Sequence, residues 1–337
     1  SETVTREEIY MPDFSVSYLG IPLKNPLIVA SSKLTGALDQ VKQCEDAGAG
    51  AVVLKSLFEE QIISDAGSML SELDSSIHAE AYDYANVMSE EYYLDSYLKL
   101  VEDAKRQLNI PVIASLNCVT AGKWLDYAKN FETVGADALE LNVFVIPADA
   151  HRSGTDHEKI YLDIAREITK RIDMPVSMKI GPHFSGLSHM MHMLEDEGMK
   201  GLVLFNRFYR PDIDIEAMKL VPANILSVPQ EMALILQWIA LMSGELKCDL
   251  SATTGVSDGD SVVKQLLAGA KTVQLCSTLY KNGLEYIEKM LAGLGDWMER
   301  HSYEHIEEFR GLLCQEKSEN PEAYERSQYI KAIVGIS

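Results

Sequence analysis

Cys248-Asp249-Leu250-Ser251-Ala252-Thr253-Thr254-Gly255-Val256-Ser257-Asp258-Gly259 is echoed downstream by Thr272-Val273-Gln274-Leu275-Cys276-Ser277-Thr278. Each is a short apolar run that ends in hydroxyl or glycine residues and opens a helix-patterned segment, Ser261 to Gly269 and Leu279 to Leu294. Small side chains let backbone N–H groups approach an anion, hydroxyls add donors, and the helix directs its partially positive N-terminus at the same point. One such segment alone is more often a simple turn than a ligand site. Two in succession, near the end of a chain of 337 residues, are the phosphate cup that a (β/α)₈ barrel builds after its last two strands.

Working back from that pair, six more runs of the same kind appear. They are Pro26 to Ser32, Gly50 to Ser56, Pro111 to Asn117, Ala138 to Val143, Pro175 to Ile180 and Gly201 to Asn206. Helical spacing separates them at Asp39–Ala47, Tyr92–Leu108, Trp124–Val134, Glu158–Ile172, Ser188–Glu197 and Glu231–Met242. Strands that are apolar along their whole length are buried on both faces, so the alternation predicts a closed parallel sheet wrapped in helices. An open doubly wound sheet uses similar units, but the first strand is not followed by G-x-G-x-x-G. The expected fold class is α/β, a (β/α)₈ TIM barrel.

Two stretches break the rhythm. Residues 57–91 show no clean strand and carry Tyr82 and Tyr84, which reads as a lid insertion; 207–230 is a second irregular insertion. Phe14 to Leu19 alternates and closes at Gly20, so the N-terminal residues are expected to form a hairpin arm. A last helix is expected from Ser302, as N-cap, to Leu313. The organisation predicted is one barrel over 1–313 and a tail over 314–337.

Composition narrows the partners. With 30 Lys and Arg against 51 Asp and Glu, the formal charge is −21, so nucleic acid and anionic membranes are poor partners. Five cysteines without a C-x-x-C pair, and eight histidines of which His189/His192 and His301/His305 share helix faces without a third ligand, give neither a disulfide framework nor a metal site. No apolar run reaches the ~18 residues of a membrane span, and a cytoplasmic location is expected.

Polar residues that end barrel strands point into the mouth of the site. Here they are Ser31, Ser32, Lys55, Ser56, Asn117, Asn142, Lys179, Asn206, Thr253, Gly255 and Ser277. A lysine ending a buried strand must meet an anion or shift its pKa, and one of them could serve as a Schiff base. Two lysines, three carboxamides and a phosphate cup better suit a large anionic cofactor with an electron-rich ring.

In order and spacing, Pro26–Ser32, Leu54-Lys55-Ser56, Glu140-Leu141-Asn142, Met178-Lys179-Ile180-Gly181-Pro182, Ala252-Thr253-Thr254-Gly255-Val256 and Gln274-Leu275-Cys276-Ser277 resemble the dihydroorotate dehydrogenases and the flavin domain of dihydropyrimidine dehydrogenase. The resemblance runs from about Phe14 to Leu313. It implies an FMN-binding barrel that moves hydride between a dihydropyrimidine-like substrate and the flavin, in a homodimer. It further implies Ala30, Ser31, Lys55, Asn117, Asn142 and Lys179 around the isoalloxazine and ribityl chain, with Gly255, Cys276, Ser277 and Thr278 at the phosphate. Ser32, Ser56, Thr253 and Thr254 complete the cofactor set. Lys55 and Lys179 would tune the flavin, and Asn142 and Asn206 would face the substrate.

The chain departs from that pattern where the family carries a Cys or Ser base, three residues after the strand-four asparagine. Val145 stands there, and Pro147 follows where an asparagine is usual. An isopropyl group cannot accept a proton. Cys118, His151, Asp149 and Tyr82 are the candidate replacements, with Cys118 first because it follows strand three. Arg207 or Arg210 could take a substrate carboxylate. Two alternatives stay open: a phosphate-binding lyase or aldolase with a Schiff base on Lys179, and a flavin-binding barrel whose catalytic centre has decayed.

Overall fold

The computed structural model describes residues 12–58, 79–117, 121–143, 145–207, 211–223, 225–319, 321 and 324, with the side chains of 79–91, 121 and 122 left aside. Expectations that fall on Tyr82, Cys118 and Arg210 lie outside the described side chains.

The eight expected runs all form strands, and they close. β1 (Val16–Tyr18) and β2 (Ile21–Leu23) make an antiparallel hairpin. The barrel consists of β3 (Leu27–Val29), β4 (Ala51–Val53), β6 (Val112–Asn117), β7 (Ala138–Asn142), β8 (Val176–Ile180), β9 (Gly201–Leu204), β12 (Asp249–Thr253) and β13 (Thr272–Leu275). Every neighbouring pair is parallel, β13 returns to β3 through Val273↔Leu27, and β4 meets β6 through Val52↔Val112. The short β5 (Leu57–Phe58) pairs beside β4 on the upper half of β6, at Leu57↔Leu116. Strand side chains such as Ile28, Val52, Leu139 and Leu202 are fully buried, as a sheet covered on both faces requires.

Helices fill the connections: α1 (Leu38–Asp46), α2 (Ala79–Gln107), α3 (Ala121–Thr133), α4 (Gly154–Thr169), α5 (Leu187–Asp196), α6 (Met232–Met242), α7 (Gly259–Ala268), α8 (Ser277–Asn282), α9 (Tyr286–His301) and α10 (Ile306–Phe309). Their ends follow from local chemistry. Ser153 and Asp156 cap α4 reciprocally, and Asp258 and Ser261 do the same for α7. Gly269, at φ +117°, stops α7 in the left-handed region.

Four boundaries differ from the sequence reading. α2 begins at Ala79, so part of the expected 57–91 insertion is helix. The second insertion is not wholly irregular: β10 (Pro211–Asp214) and β11 (Lys219–Pro222) pair in an antiparallel hairpin with Ile213 opposite Leu220. The helix after β13 is two, because Gly283 at φ +86° ends α8 before α9 begins. Ser302 is the left-handed C-cap of α9, not an N-cap; the last helix starts after His305 and is short.

The expected N-terminal hairpin arm packs against the lower end of the barrel. Leu19 N–H donates to Asp249 Oδ2 at 2.7 Å at the lower end of β12, and the buried Tyr18 phenol lies under Gly201. The described part of the tail folds back on α6: Gln315 N–H donates to the Ala240 carbonyl, and Gln237 Nε2 to the Tyr324 carbonyl.

Candidate active site

The upper ends of β7, β8 and β9 bring three expected residues together. The parallel register sets Asn142 beside Lys179, and Asn206 N–H donates to the Ile180 carbonyl at 2.7 Å. That anchors Asn206 just above β9, where its Nδ2 donates to Asn142 Oδ1.

Beside this pair opens a cavity of about 500 Å³, within the ~300–1,000 Å³ range of small-molecule sites. Ala30, Ser31, Ser32, Lys179, Asn206, Thr253, Thr254, Gly255, Cys276 and Ser277 all line it. Five of the expected residues lie otherwise. Lys55 and Ser56 line a neighbouring cavity of about 360 Å³ with Tyr93, Tyr97 and Asp103. Asn117 ends β6 half-buried, and Asn142 reaches the main cavity through Asn206. Thr278 turns its hydroxyl to the Ser257 carbonyl at 3.3 Å.

Ser56 links the two cavities. Its N–H donates to Ser31 Oγ at 2.8 Å, and its hydroxyl lies 3.0 Å from Ser31 Oγ and 2.7 Å from Ser115 Oγ. The three hydroxyls tie β3, β4 and β6 together at the level of the site.

The far end of the cavity is formed by the turns after β12 and β13. Thr254 and Gly255 are both left-handed, at φ +76° and +77°, which turns the backbone sharply away from the strand. A Cβ on Gly255 would sit 2.5 Å from Met232 N, so glycine is required both by conformation and by space. Gly255 N–H donates to Ser227 Oγ at 3.3 Å, Ser227 N–H to Ser277 Oγ at 2.9 Å, and Lys281 Nζ to the Ser227 carbonyl at 2.7 Å.

Ser227 and Lys281 were not singled out from sequence. Lys281 could have been: it lies four residues after Ser277 on the helix that opens there, on the same face. Ser227, in the irregular run before Val228-Pro229, gives no such signal. The loop that carries it is held by Arg207, whose Nε donates to Glu231 Oε1 at 3.2 Å and whose Nη1 donates to the Ile225 carbonyl at 2.8 Å. Arg207, expected as a site for a substrate carboxylate, therefore lines the cavity and is engaged by a carboxylate of this chain, Glu231.

Lys179 sets the electrostatics of the floor. Burial pushes the Glu140 carboxyl up, opposed by the Lys179 charge and the bond from Gln274. Burial also pushes the Cys276 thiol up, again opposed by Lys179 and by Ser32. The ammonium thus acts on both a buried carboxyl and a cavity-lining thiol.

At the expected base position, Val145 is held through its backbone: its N–H donates to the Tyr161 hydroxyl at 3.3 Å. Asp149 and His151 are exposed in the following turn, where Asp149 Oδ1 accepts from His151 N–H, and neither lines the cavity. Among the described residues, no group of three His, Cys, Asp or Glu side chains could hold a metal ion. Among them too, no helix is long and apolar enough to cross a membrane.

A family model described as dihydroorotate dehydrogenase matches residues 14–298. The chain is 27% identical over 314 residues to the dihydroorotate dehydrogenase B (NAD(+)) catalytic subunit of Thermoplasma volcanium, covering 90% of this chain and 99% of that one. It is 26% identical over 302 residues to the protein of the same description from Pyrococcus abyssi, covering 88% and 98%. Similarity extends to the chloroplastic dihydropyrimidine dehydrogenase (NADP(+)) of Arabidopsis thaliana, 23% identical over 330 residues, covering 90% and 78%.

Proposed function

The chain belongs to the dihydroorotate dehydrogenase family, flavin-dependent oxidoreductases acting on CH–CH donors, and we propose that it binds FMN in the cavity above β12 and β13 and oxidises or reduces a dihydropyrimidine-like substrate there. The observation that carries this reading is one continuous lining, with Lys179 and Asn206, itself bonded to Asn142 behind it, at one end and the Thr254–Gly255 turn with Ser277 at the other. Membership sets aside the Schiff-base lyase alternative.

Three features support the fit of FMN. The cavity has the size of a small-molecule site. Its far end is lined by small and hydroxyl side chains, and the glycine there excludes any Cβ. Its floor carries a cation, suited to an anionic ring. Bound there, FMN would supply a hydride acceptor or donor.

The chain's own residues do the rest. Gly255, Cys276 and Ser277 hold the phosphate end, with Thr278 bracing the Ser257 loop and Ser227 and Lys281 closing the cup from the insertion side. Ala30, Ser31, Ser32, Thr253 and Thr254 flank the ribityl chain. Lys179 neutralises charge developing on the ring. Lys55 lines the adjoining cavity, which the Ser56–Ser31 link joins to this one, and Asn117 borders that side. Asn142 and Asn206 orient the substrate by paired carboxamides.

Val145 favours a substrate other than dihydroorotate, because a valine side chain exchanges no proton. Cys118 is the replacement this reading keeps. A single barrel unit over 1–313, in a homodimer, completes the proposal. The outward-facing Ile213, Ile215, Met218 and Leu220 of the β10–β11 hairpin support a further contact surface. The similar archaeal chains are described as catalytic subunits, which supports a second polypeptide as the route for electrons.

The visible absorption spectrum of the purified protein, repeated anaerobically with dihydroorotate, tests the reading. Flavin bands are expected, unbleached by dihydroorotate. A colourless protein that also refuses added FMN defeats the proposal, and bleaching shows that the base lies elsewhere than position 145.

A further inference from the structure

At the cavity floor, Gln274, which lines it, meets Glu140 in the barrel interior beneath, and each has an unmatched oxygen. Glu140 on β7 and Gln274 on β13 are each 1% exposed. Gln274 Nε2 donates to Glu140 Oε2 at 2.6 Å. Glu140 Oε1 and Gln274 Oε1 are buried and have no partner among the described residues. Two acceptor oxygens without donors are costly inside a protein. A single proton resolves both deficits, because a neutral carboxylic acid and a carboxamide can bond twice, each giving one hydrogen and accepting one.

We propose that Glu140 is held as the neutral acid, its Oε1–H donated to Gln274 Oε1, so that Lys179 above it keeps an uncompensated positive charge for the ring bound in the cavity. Glu140 is thereby a positioning residue: it acts through Lys179 and touches no reactant. The inference deepens the flavin reading and rests on it for its functional half; the protonation half stands on the barrel alone.

The surroundings agree. Burial is the largest influence on the Glu140 carboxyl and pushes it up, favouring the protonated form. Among the described residues, Lys179 from β8 acts on this carboxyl, and the carboxyl in turn acts on two phenols, Tyr18 of the N-terminal hairpin and Tyr97 of α2. Both phenols are pushed upward by their own burial, so they bring no negative charge near neutral pH. Lys179 opposes protonation, and so does the bond that Gln274 Nε2 donates; burial outweighs both, and the proposed second bond, from the acid to Gln274 Oε1, adds to burial. An ionised Glu140 would place a carboxylate under the site and cancel much of the lysine's field.

Infrared difference spectra of the chain without added FMN, wild type against Glu140→Gln at neutral pH, test the proton itself. The wild type is expected to show the carbonyl stretch of a hydrogen-bonded protonated carboxyl, shifted in D₂O and absent from the variant. Loss of carboxylate stretches in its place overturns the proposal. Gln274→Leu gives an independent arm: the acid band moves toward the frequency of an unbonded carboxyl, and a band that stays in place overturns the pairing.

With FMN added, the midpoint potential of Glu140→Gln should equal that of the wild type at neutral pH. As pH rises the wild-type potential should drop below the variant's, once Glu140 ionises. A higher potential in the variant at neutral pH means that a negative charge was removed, and overturns the assignment. A chain that takes up no FMN removes the functional half, while the infrared arms still decide the proton.

Discussion

Asn206 Nδ2 donates to Asn142 Oδ1 across the end of β8, so two carboxamides from strands that are not neighbours meet beside Lys179. Each fixes the other's orientation: Asn142 must present its oxygen to Asn206, which leaves its NH₂ group for a ligand. Replacing either by alanine should lower kcat/KM for the true substrate about tenfold or more, the ~1.4 kcal/mol expected for one good polar contact. The double variant should lose less than the sum of the two, because the residues act as a unit. Steady-state kinetics of the two single variants and the double variant read this out; additive losses would separate the two roles.

Lys179→Ala should weaken FMN binding and lower its potential. If the ammonium favours the reduced, anionic ring by about 1.4 kcal/mol, the two-electron midpoint falls by about 30 mV. Spectroelectrochemical titration measures it, and an unchanged potential counts against Lys179 as the tuning charge.

Gly255→Ala should cost about 1–3 kcal/mol, from a left-handed φ that alanine resists and from a Cβ 2.5 Å from Met232 N. The strain falls on the cup, so FMN retention should be lost at temperatures where the variant is still folded. Thermal unfolding in parallel with flavin release checks both.

Glu231→Ala takes away the carboxylate that holds Arg207 and also removes the acceptor for Val228 N–H, which Glu231 Oε2 meets at 2.8 Å. The loop bearing Ser227 should loosen. A fall in FMN affinity of roughly tenfold is expected, consistent with loss of a partly buried, hydrogen-bonded pair. Isothermal titration with FMN decides, and an unchanged affinity would show that Ser227 is placed independently of Arg207.

Asp258 gives a pH signature. Burial raises its carboxyl, but the bonds from Ser261 and Ser257 outweigh that and hold it below the usual carboxylate range. Its contribution is therefore full above the unfolded value of ~3.9 and is lost as the pH falls through the lower folded value. Asp258→Ala should cost about 1 kcal/mol near neutrality, as for other N-caps, and the deficit should shrink below that window. Melting temperatures of the two proteins against pH test the sign.

The barrel was legible because its signal is local and repeated: runs such as Val52-Val53-Leu54 and Leu139-Glu140-Leu141, each followed by a helical period. Residues that end strands were legible for the same reason, which is why Lys179 and Asn206 fall where expected. The errors share a cause. Gly283 sits inside an apolar period, and only the three-dimensional path makes it a break between α8 and α9. Ser302 has the side chain of an N-cap, but its backbone, at φ +59°, serves the helix behind it. The pair Ile213↔Leu220 belongs to a hairpin whose strands are largely exposed, so no core-facing alternation marks it. Which cavity Lys55 enters depends on α2, an element read as beginning at Tyr92. Ser227 reaches Gly255 through a loop held by Arg207, and contacts of that range leave no trace in spacing.

The seam between Leu27 and Val273 bears on how the chain is made. The first barrel strand to leave the ribosome is hydrogen-bonded to the last, so its outer edge stays unpaired through most of synthesis. Closure waits for the longest-range contact in the sheet, which makes folding slow and late. Any product truncated before β13 carries two open parallel edges, a template for pairing with other chains. Nascent chains stalled in that interval are the ones that depend most on chaperones.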